Sequence, residues 1–301
     1  MKRAAMIVVM LAMTSYLLAQ QPGTQSPPPA KPGTAPSGTA QPSTTPPPAK
    51  HPPQAKTQPE FDAYKAAVAI TDPAAFEKAA DDFAAKFPDS ELRVVLYRTA
   101  IHLYQSVNNG DKMLEMGRKV LTIDPDDPEA LLGVAEVLAE RTRDTDLDKE
   151  QRLDEAMKDA QRATETVDTD IVAPAETPQE RVDAYKNFLR STAYSIMGKL
   201  TLDKNNYAEA ESYLRKSIDA YPSQPDPVAV LRLAVALDKQ EKYPEALKIA
   251  NRAVELTQEN TPAGTVARQE RDRLMKLTGS SPAPAAKPPA GDAQNQAPPK
   301  N

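Results

Sequence analysis

Apolar residues between positions 60 and 279 recur every three or four positions, which is the period of one face of an α-helix. Strand-like alternation is hard to find there. Alanine and leucine are common, glycine is scarce, and prolines occur at boundaries such as Asp124-Pro125 and Pro225-Asp226-Pro227. Because proline begins a helix well and cannot continue one, these prolines mark helix ends. The pattern predicts an all-α body in which helix, short turn and helix repeat.

Both ends of the chain lack this pattern. Residues 20–59 and 280–301 consist mainly of Pro, Gly, Ser, Thr, Ala and Gln, which offer almost nothing for a core. The pentapeptide Pro-Pro-Pro-Ala-Lys occurs twice in the first segment, at 27–31 and at 46–50. We expect a disordered Pro-rich linker over 20–59 and a disordered Pro/Ala-rich tail over 280–301, with one folded body over 60–279 between them.

The first residues have the features of an export signal. Lys2 and Arg3 precede an apolar run from Ala4 to Leu18, and the small residue Ala19 follows. The run is shorter than the ~20 apolar residues that span a bilayer comfortably. We therefore expect residues 1–19 to be a cleaved signal peptide, with an uncleaved anchor as the alternative. The expected location is the bacterial periplasm or the exterior, with no integral membrane span after cleavage.

The clearest repeated segment runs from Ser191 to Gln224, and its close parallel runs from Pro227 to Asn260. The pattern of the first segment consists of Tyr194, Met197 and Gly198 on one helix, then Tyr207, Ala210, Leu214, Ser217 and Ile218 on the next. This spacing resembles the tetratricopeptide repeat, a helical hairpin of ~34 residues. Small residues at Gly198 and Ala210 would let the two helices approach closely.

Three further segments resemble the repeat less closely. They cover 60–90, 94–127 and 128–168, and the last has a charged insertion from Arg141 to Lys149. Residues 169–190 are expected to form an irregular join that ends in a long helix, and Val266–Leu277 a polar-faced terminal helix. The resemblance implies a tetratricopeptide-type α-solenoid of about five hairpins plus a capping helix. An ordinary helical bundle without repeats is the alternative.

Charge argues against nucleic acid as a ligand. The whole chain has a net charge of −5, but its two ends are positively charged. The body between 58 and 279 therefore has 30 basic and 41 acidic residues, a net charge of −11. An acidic body repels phosphate backbones. We interpret the few basic residues of the linker as solvated.

The residues that usually carry chemistry are sparse. The chain has no Cys and two His, His51 and His102, so a typical transition-metal site is not expected. Asp144, Asp146, Asp148 and Glu155 occupy positions 1, 3, 5 and 12 of a calcium-binding helix–loop–helix pattern. Lys149 stands where that pattern needs glycine, so we interpret a solvated acidic loop in which Asp148 caps the next helix. We expect no cofactor and no enzyme, with an unrecognised catalytic site as an alternative.

The resemblance also implies a binding surface, because the first helices of successive units line a concave groove that holds a partner segment. Carried over to this chain, the groove residues are Arg98, His102, Gln105, Glu136, Ser195, Lys199, Leu202, Leu231 and Val235. The alternative is that these are simply exposed helix residues. The expected function is a non-catalytic scaffold that binds another protein or peptide segment and recruits or assembles a bacterial cell-envelope or secretion complex. A carrier or sensor for a small ligand or calcium is the second hypothesis.

Overall fold

The computed structural model describes residues 50–279, which form eleven α-helices and no strand within that range. The helices are α1 Gln58–Val68, α2 Pro73–Lys86, α3 Leu92–Ser106, α4 Gly110–Ile123, α5 Pro128–Arg141, α6 Lys149–Asp170, α7 Gln179–Asp203, α8 Tyr207–Ala220, α9 Pro227–Asp238, α10 Tyr243–Leu256 and α11 Pro262–Thr278. They pair as five hairpins, here called units 1 to 5 (α1–α2 through α9–α10), followed by the terminal helix α11. The all-helical solenoid is therefore confirmed.

Capping side chains and prolines set where the helices begin. Asp72, Asp127 and Asp226 each accept a hydrogen bond from a backbone N–H of the first turn, and a proline follows each of them. Each carboxylate satisfies a donor that the helix itself cannot pair, and the fixed φ of proline suits the first helical position. The boundary prolines thus act as the sequence pattern predicts.

Units 2, 4 and 5 share one turn between their two helices. Asn108, Asn205 and Glu241 have φ of 56°, 59° and 60°. In each turn the next residue's N–H donates to a carbonyl five residues back, at 2.9, 2.9 and 3.0 Å. A left-handed residue with such a bond ends a helix in a defined direction. Unit 2 therefore folds like units 4 and 5, although its second helix departs from the repeat sequence.

Unit 3 replaces that turn with a longer loop. Helix α5 ends at Arg141 and α6 begins at Lys149, so the insertion lies where the sequence predicts it. The predicted join of 169–190 is shorter in the structure, where only 171–178 are non-helical, and the long helix expected at its end is the 25-residue helix α7. Asp148 does stand directly before α6, at the N-cap position, but its side chain makes no capping hydrogen bond, so that part of the prediction is wrong.

The first helices of successive units lie side by side. Contacts join α1 to α3, α3 to α5, α5 to α7, α7 to α9 and α9 to α11. The second helices pack mainly on the first helices of their own unit and of the next one. Because the first helices of successive units contact one another, the stack of hairpins curves toward that side, and the first helices line its concave side. We call the exposed side of α3, α5, α7 and α9 the inner surface.

Glycine permits the closest helix approaches. A Cβ on Gly198 would lie 2.6 Å from Leu214 Cγ, and one on Gly117 would lie 2.7 Å from Val134 Cγ2. The predicted close packing of α7 on α8 is thus confirmed, since Ala210 is also fully buried. At Gly117 the same device brings α4 against α5 of the following unit.

The start of the folded body differs from the prediction. Helix α1 begins at Gln58, and residues 50–57 are held on the body by side-chain contacts, although the sequence assigns them to a disordered linker. The predicted signal peptide, most of the linker and the tail lie outside the described residues. Within 50–279, no helix is both long and apolar enough to cross a bilayer.

Candidate functional site: the inner surface

Five polar residues from three helices meet at one end of the inner surface. Arg98 Nη1 donates to Glu129 Oε1 at 2.8 Å, and Arg98 Nε lies 3.6 Å from Asp127 Oδ2. His102 Nε2 lies 3.5 Å from Glu129 Oε2, and the Tyr185 hydroxyl hydrogen-bonds the same carboxylate. We call these residues the Arg98–Glu129 cluster. It links α3, α5 and α7, the first helices of units 2, 3 and 4.

Burial and charge govern the titration of this cluster. Burial alone would raise the pKa of the Glu129 carboxyl, but Arg98, His102 and the Tyr185 hydroxyl hold it below its ordinary value. Burial raises the pKa of Asp127 against the opposing effect of Arg98. Burial and the Glu129 carboxylate raise the pKa of Tyr185 well above its ordinary value. Arg98 and Glu129 therefore stay charged and Tyr185 stays protonated, so the cluster holds helices together.

Two more predicted groove residues also link neighbouring helices. Ser195 Oγ donates to Asp226 Oδ2 at 3.2 Å, which ties α7 to the start of α9. Lys199 Nζ donates to the carbonyl of Ala139 at 2.8 Å, at the end of α5, and to Asp203 at 2.7 Å. Both side chains are thus engaged within the chain and position the first helices.

The apolar end of the predicted groove is partly wrong. Leu231 is 7% exposed and packs with Val230, Ala253 and Ala267, so it belongs to the core. The side chain on the inner surface is that of its neighbour Arg232, which donates to Glu140 Oε1 at 2.8 Å. Adjacent helical residues point about 100° apart, so an error of one position moves a residue from the surface to the core.

The remaining predicted positions differ in exposure. Leu202 is partly buried against the core of units 4 and 5, and Val235 is half-buried. Gln105 is exposed near the end of α3, and Glu136 is half-buried in the middle of α5. Of the nine predicted residues, Gln105, Glu136 and Val235 are the ones left facing solvent without a described polar partner from the chain.

Carboxylates dominate the middle of the inner surface. Glu136 lies close enough to Glu140 and Asp226 for both to act on its titration. Burial, Glu140 and Asp226 raise the pKa of Glu136, and the single opposing side chain is Arg232. We call Glu136, Glu140, Asp226 and Arg232 the inner acidic patch. Its net charge of −2 when all four are ionised favours a partner that brings positive charge.

The acidic loop of unit 3 is occupied by internal pairs. Asp144 pairs with Lys149 at 2.9 Å, and Asp146 Oδ2 accepts from the Arg143 N–H at 2.9 Å. Glu155 pairs with Arg118 on α4. Within residues 50–279, no group of three or more carboxylate or imidazole side chains is arranged to hold a metal ion. The carboxylates Asp144, Asp146 and Glu155 are thus engaged with groups of the chain itself.

A shallow depression of about 440 Å³ lies on the outer side of unit 2. Its lining residues, from Asp111 to Thr122, all belong to α4. A surface from a single helix cannot enclose a small molecule as a convergent pocket does. This depression therefore gives little support to the small-ligand hypothesis.

Sequence reasoning missed Glu129, Tyr185, Glu140 and Arg232. A signal for the acidic ones exists: Glu129, Glu136 and Glu140 are spaced by seven and four residues, which places them on one face of α5. Tyr185 had no comparable signal, because it precedes the recognisable repeat and lies in the extended first part of α7.

Hairpin units stacked with their first helices inward define the chain as a helical-repeat protein. Residues 201–268 match the tetratricopeptide repeat family. This segment runs from the end of α7 into the first part of α11, and so it covers the second helix of unit 4 and all of unit 5, the two units whose sequences follow the repeat best.

Several solved structures have a similar fold and are distant in sequence. A thermophilic TPR protein of Thermus thermophilus is 14% identical, with 72% of this chain and 100% of that chain covered and a TM-score of 0.44. PilW, a type IV pilus biogenesis factor, is 19% identical (75% and 96% covered, TM-score 0.45), and the MamA protein is 15% identical (75% and 96%, TM-score 0.46). No curated protein matches the sequence. Structural similarity at these identities and TM-scores is not evidence of a shared function.

Proposed function

We propose that the chain is a non-catalytic scaffold that binds a basic segment of another protein on its inner surface. The observation that carries the proposal is the inner acidic patch, where Glu140 and Asp226 lie near Glu136 and the guanidinium of Arg232 is bonded to Glu140. Glu136 and Asp226 are half-buried, whereas Glu140 is exposed and already pairs with Arg232. A half-buried carboxylate that has no close cation raises the free energy of the unbound state, and a lysine or arginine from a partner would lower it. The same negative charge disfavours nucleic acid.

The rest of the inner surface supports this role by being rigid. The Arg98–Glu129 cluster and the Ser195 and Lys199 hydrogen bonds fix α3, α5, α7 and α9 relative to one another. A preorganised surface loses less conformational entropy when a partner binds. The partner-binding residues of the proposal are therefore Gln105, Glu136, Glu140, Arg232 and Val235, and the cluster residues serve as their support.

We further propose that the chain is exported and acts in a bacterial cell-envelope or secretion complex. The support is the sequence of residues 1–19, in which Lys2 and Arg3 precede an apolar run that ends at Ala19. Cell fractionation and N-terminal sequencing test this step. A mature protein that begins at Gln20 in the periplasm or medium is expected. An uncut chain in the membrane fraction would favour the anchor.

Capture of partners from crosslinked envelope extract tests the binding proposal. The test variant is Glu136→Gln with Glu140→Gln. The matched control, Glu150→Gln with Glu165→Gln, removes the same charge from α6. We expect the control and the parent to capture the same protein, and the test variant to lose it at unchanged helicity. Equal capture by all three proteins would remove the inner acidic patch as the binding surface.

A further inference from the structure

A second surface, separate from the inner acidic patch, lies along the joins between units. Residues 50–56 form no helix or strand and run from the join of units 2 and 3 to the join of units 1 and 2. At one end Lys50 meets Asp124 and Asp170, and at the other Lys56 Nζ donates to the carbonyl of Asp89 at 2.7 Å. We call the surface under this segment the join margin.

The Lys50 contacts have the geometry of an ammonium site. Lys50 Nζ lies 2.8 and 2.7 Å from the two oxygens of Asp124, and it also pairs with an oxygen of Asp170. Asp124 follows α4 and Asp170 ends α6, so the carboxylates come from two different units. Their side chains are 27% and 9% exposed. Two carboxylates of low exposure that converge on one –NH₃⁺ use its three donors.

Lys50 supplies the positive charge that both Asp124 and Asp170 contact. Burial lowers the pKa of Lys50, but hydrogen bonds to Asp124 and Asp170 outweigh it and raise that pKa above its ordinary value. Neighbouring carboxylates at the joins already have partners in the body, because Asp126 pairs with Arg162 and Asp168 with Arg190. Without Lys50, Asp124 and Asp170 would lose the cation that both contact.

Further contacts align the backbone of the segment. The Gln54 N–H donates to Glu91 Oε2 at 3.4 Å, and His51 Nε2 lies 3.6 Å from Glu91 Oε1. Pro52 and Pro53 are half-buried, and Ala55 packs on the core of units 1 and 2. Prolines limit the conformations of the free segment, so less entropy is lost when it lies on the margin.

We propose that the join margin is a binding site for proline-rich segments that carry a lysine, and that residues 50–56 are its intramolecular occupant. Lys50 is the last residue of Pro-Pro-Pro-Ala-Lys, and the same pentapeptide ends at Lys31. The residue that enters the ammonium site thus belongs to a sequence that the chain carries twice. A tethered segment acts at an effective concentration of roughly 1 mM, so it masks the site from free peptides of similar affinity. An external segment of this chemistry would have to displace it.

A labelled peptide with the sequence of residues 46–56 tests the proposal on the full chain. In the released variant, Lys31, Lys50 and Lys56 are all changed to Gln. We expect the peptide to bind this variant about tenfold or more tightly than the parent, and less tightly as salt is added. Circular dichroism checks that the variant keeps its helices. If it does not, Lys50→Gln alone serves, because Lys56 then still holds the start of α1.

Three controls decide the result. Asp124→Asn, added to the released variant, should abolish binding, and so should a peptide with Gln in place of the residue that corresponds to Lys50. Lys31→Gln alone should behave like the parent. Equal binding by the parent and the released variant would overturn the masking, and binding of the Gln peptide would overturn lysine recognition. Opening of the site by Lys31→Gln alone would assign the occupant to the other pentapeptide.

Discussion

Units 2 and 3 and units 4 and 5 have the same architecture but are joined by different interactions. Between units 2, 3 and 4 lies the Arg98–Glu129 cluster, in which charged groups are buried and paired. Units 4 and 5 are joined by small residues, including the fully buried Ala210, Ala234, Ala246 and Ala250, together with polar links such as Ser195–Asp226 and Arg215–Glu245. Within unit 4, the hydroxyls of Ser191 and Ser217 each donate to the other's carbonyl at 2.8 Å.

The comparison shows that the repeat signature describes one of two ways to stack these hairpins. Small side chains let backbones approach and bury apolar area without any charge. Where larger polar side chains stand between helices, the stack persists only because each buried charge finds its counterpart. Glycine permits a close helix approach in both halves, at Gly117 and at Gly198. Both halves should therefore respond to the loss of space, and the first half should respond in addition to the loss of a charge.

The largest effect is expected from Glu129→Ala. The change leaves Arg98 buried with only the more distant Asp127, and it removes the acceptor of Tyr185. Breaking a buried charged network costs about 3–5 kcal/mol. Urea unfolding followed by far-UV circular dichroism measures this loss, with Glu165→Ala on the outer side of α6 as the control. A loss no greater than that of the control would contradict the structural role of the cluster.

A smaller loss is expected from Gly198→Ala in the second half. The added Cβ would lie 2.6 Å from Leu214 Cγ, and overpacking of this kind costs about 1–3 kcal/mol. Leu214→Ala empties that space, so the same glycine change should cost less in a Leu214→Ala background. Additive effects of the two substitutions would mean that this contact does not limit the approach of α7 and α8.

Asp159→Asn is expected to stabilise the protein at neutral pH by about 1 kcal/mol, a value reduced for the partial exposure of the side chain. Burial and the Glu155 carboxylate raise the pKa of Asp159 from 3.8 to about 6, against Arg118. A raised folded pKa contributes stability below the unfolded pKa, and that contribution is lost as the pH rises through about 6.

The difference in melting temperature between Asp159→Asn and the parent, followed against pH, checks this. It should be small near pH 4 and grow up to about pH 7. A gain that is equally large at both ends of this range would exclude the carboxyl as its source. The result would extend the comparison to a buried carboxyl in unit 3 that is not neutralised by a close cation.

The smallest effect is expected from Arg215→Gln in unit 4. Arg215 Nη2 lies 2.6 Å from Glu245 Oε1, and these two side chains are 38% and 46% exposed. Arg215 also pairs with Glu211, but that carboxylate keeps Lys242 as a partner when Arg215 is replaced. Exposed pairs contribute between zero and about 1 kcal/mol. The urea midpoint should therefore stay close to that of the parent. A loss as large as that of Glu129→Ala would erase the distinction between the two halves.

Local sequence signals were enough to predict the helices and the stack. Prolines after Asp72, Asp127 and Asp226 fix helix starts, and the small residues of units 4 and 5 reveal the repeat. The insertion after Arg141 and the long helix α7 could also be predicted, because each interrupts the period. These features depend on residues that are close in sequence.

The site was less predictable, because its residues act across units. Leu231 and Arg232 differ by one helical position, and only the packing of α9 on α10 and α11 decides which is buried. Tyr185 reaches Glu129 from another unit, because it stands 56 positions later in the chain. Lys50 stands in a segment whose composition indicates disorder, and two carboxylates brought together by the fold hold it in place. A local sequence pattern cannot predict contacts between residues that are far apart in the chain.

One ion pair bears on how the molecule unfolds. In a repeat array whose units touch only their neighbours, the ends can unravel one hairpin at a time. Arg232 of unit 5 bonds Glu140 of unit 3, and so it bypasses unit 4. Opening any of these three hairpins strains or breaks that bond. The C-terminal hairpin is therefore linked directly to the centre of the array, and this bond has to break before unit 5 can separate from unit 3.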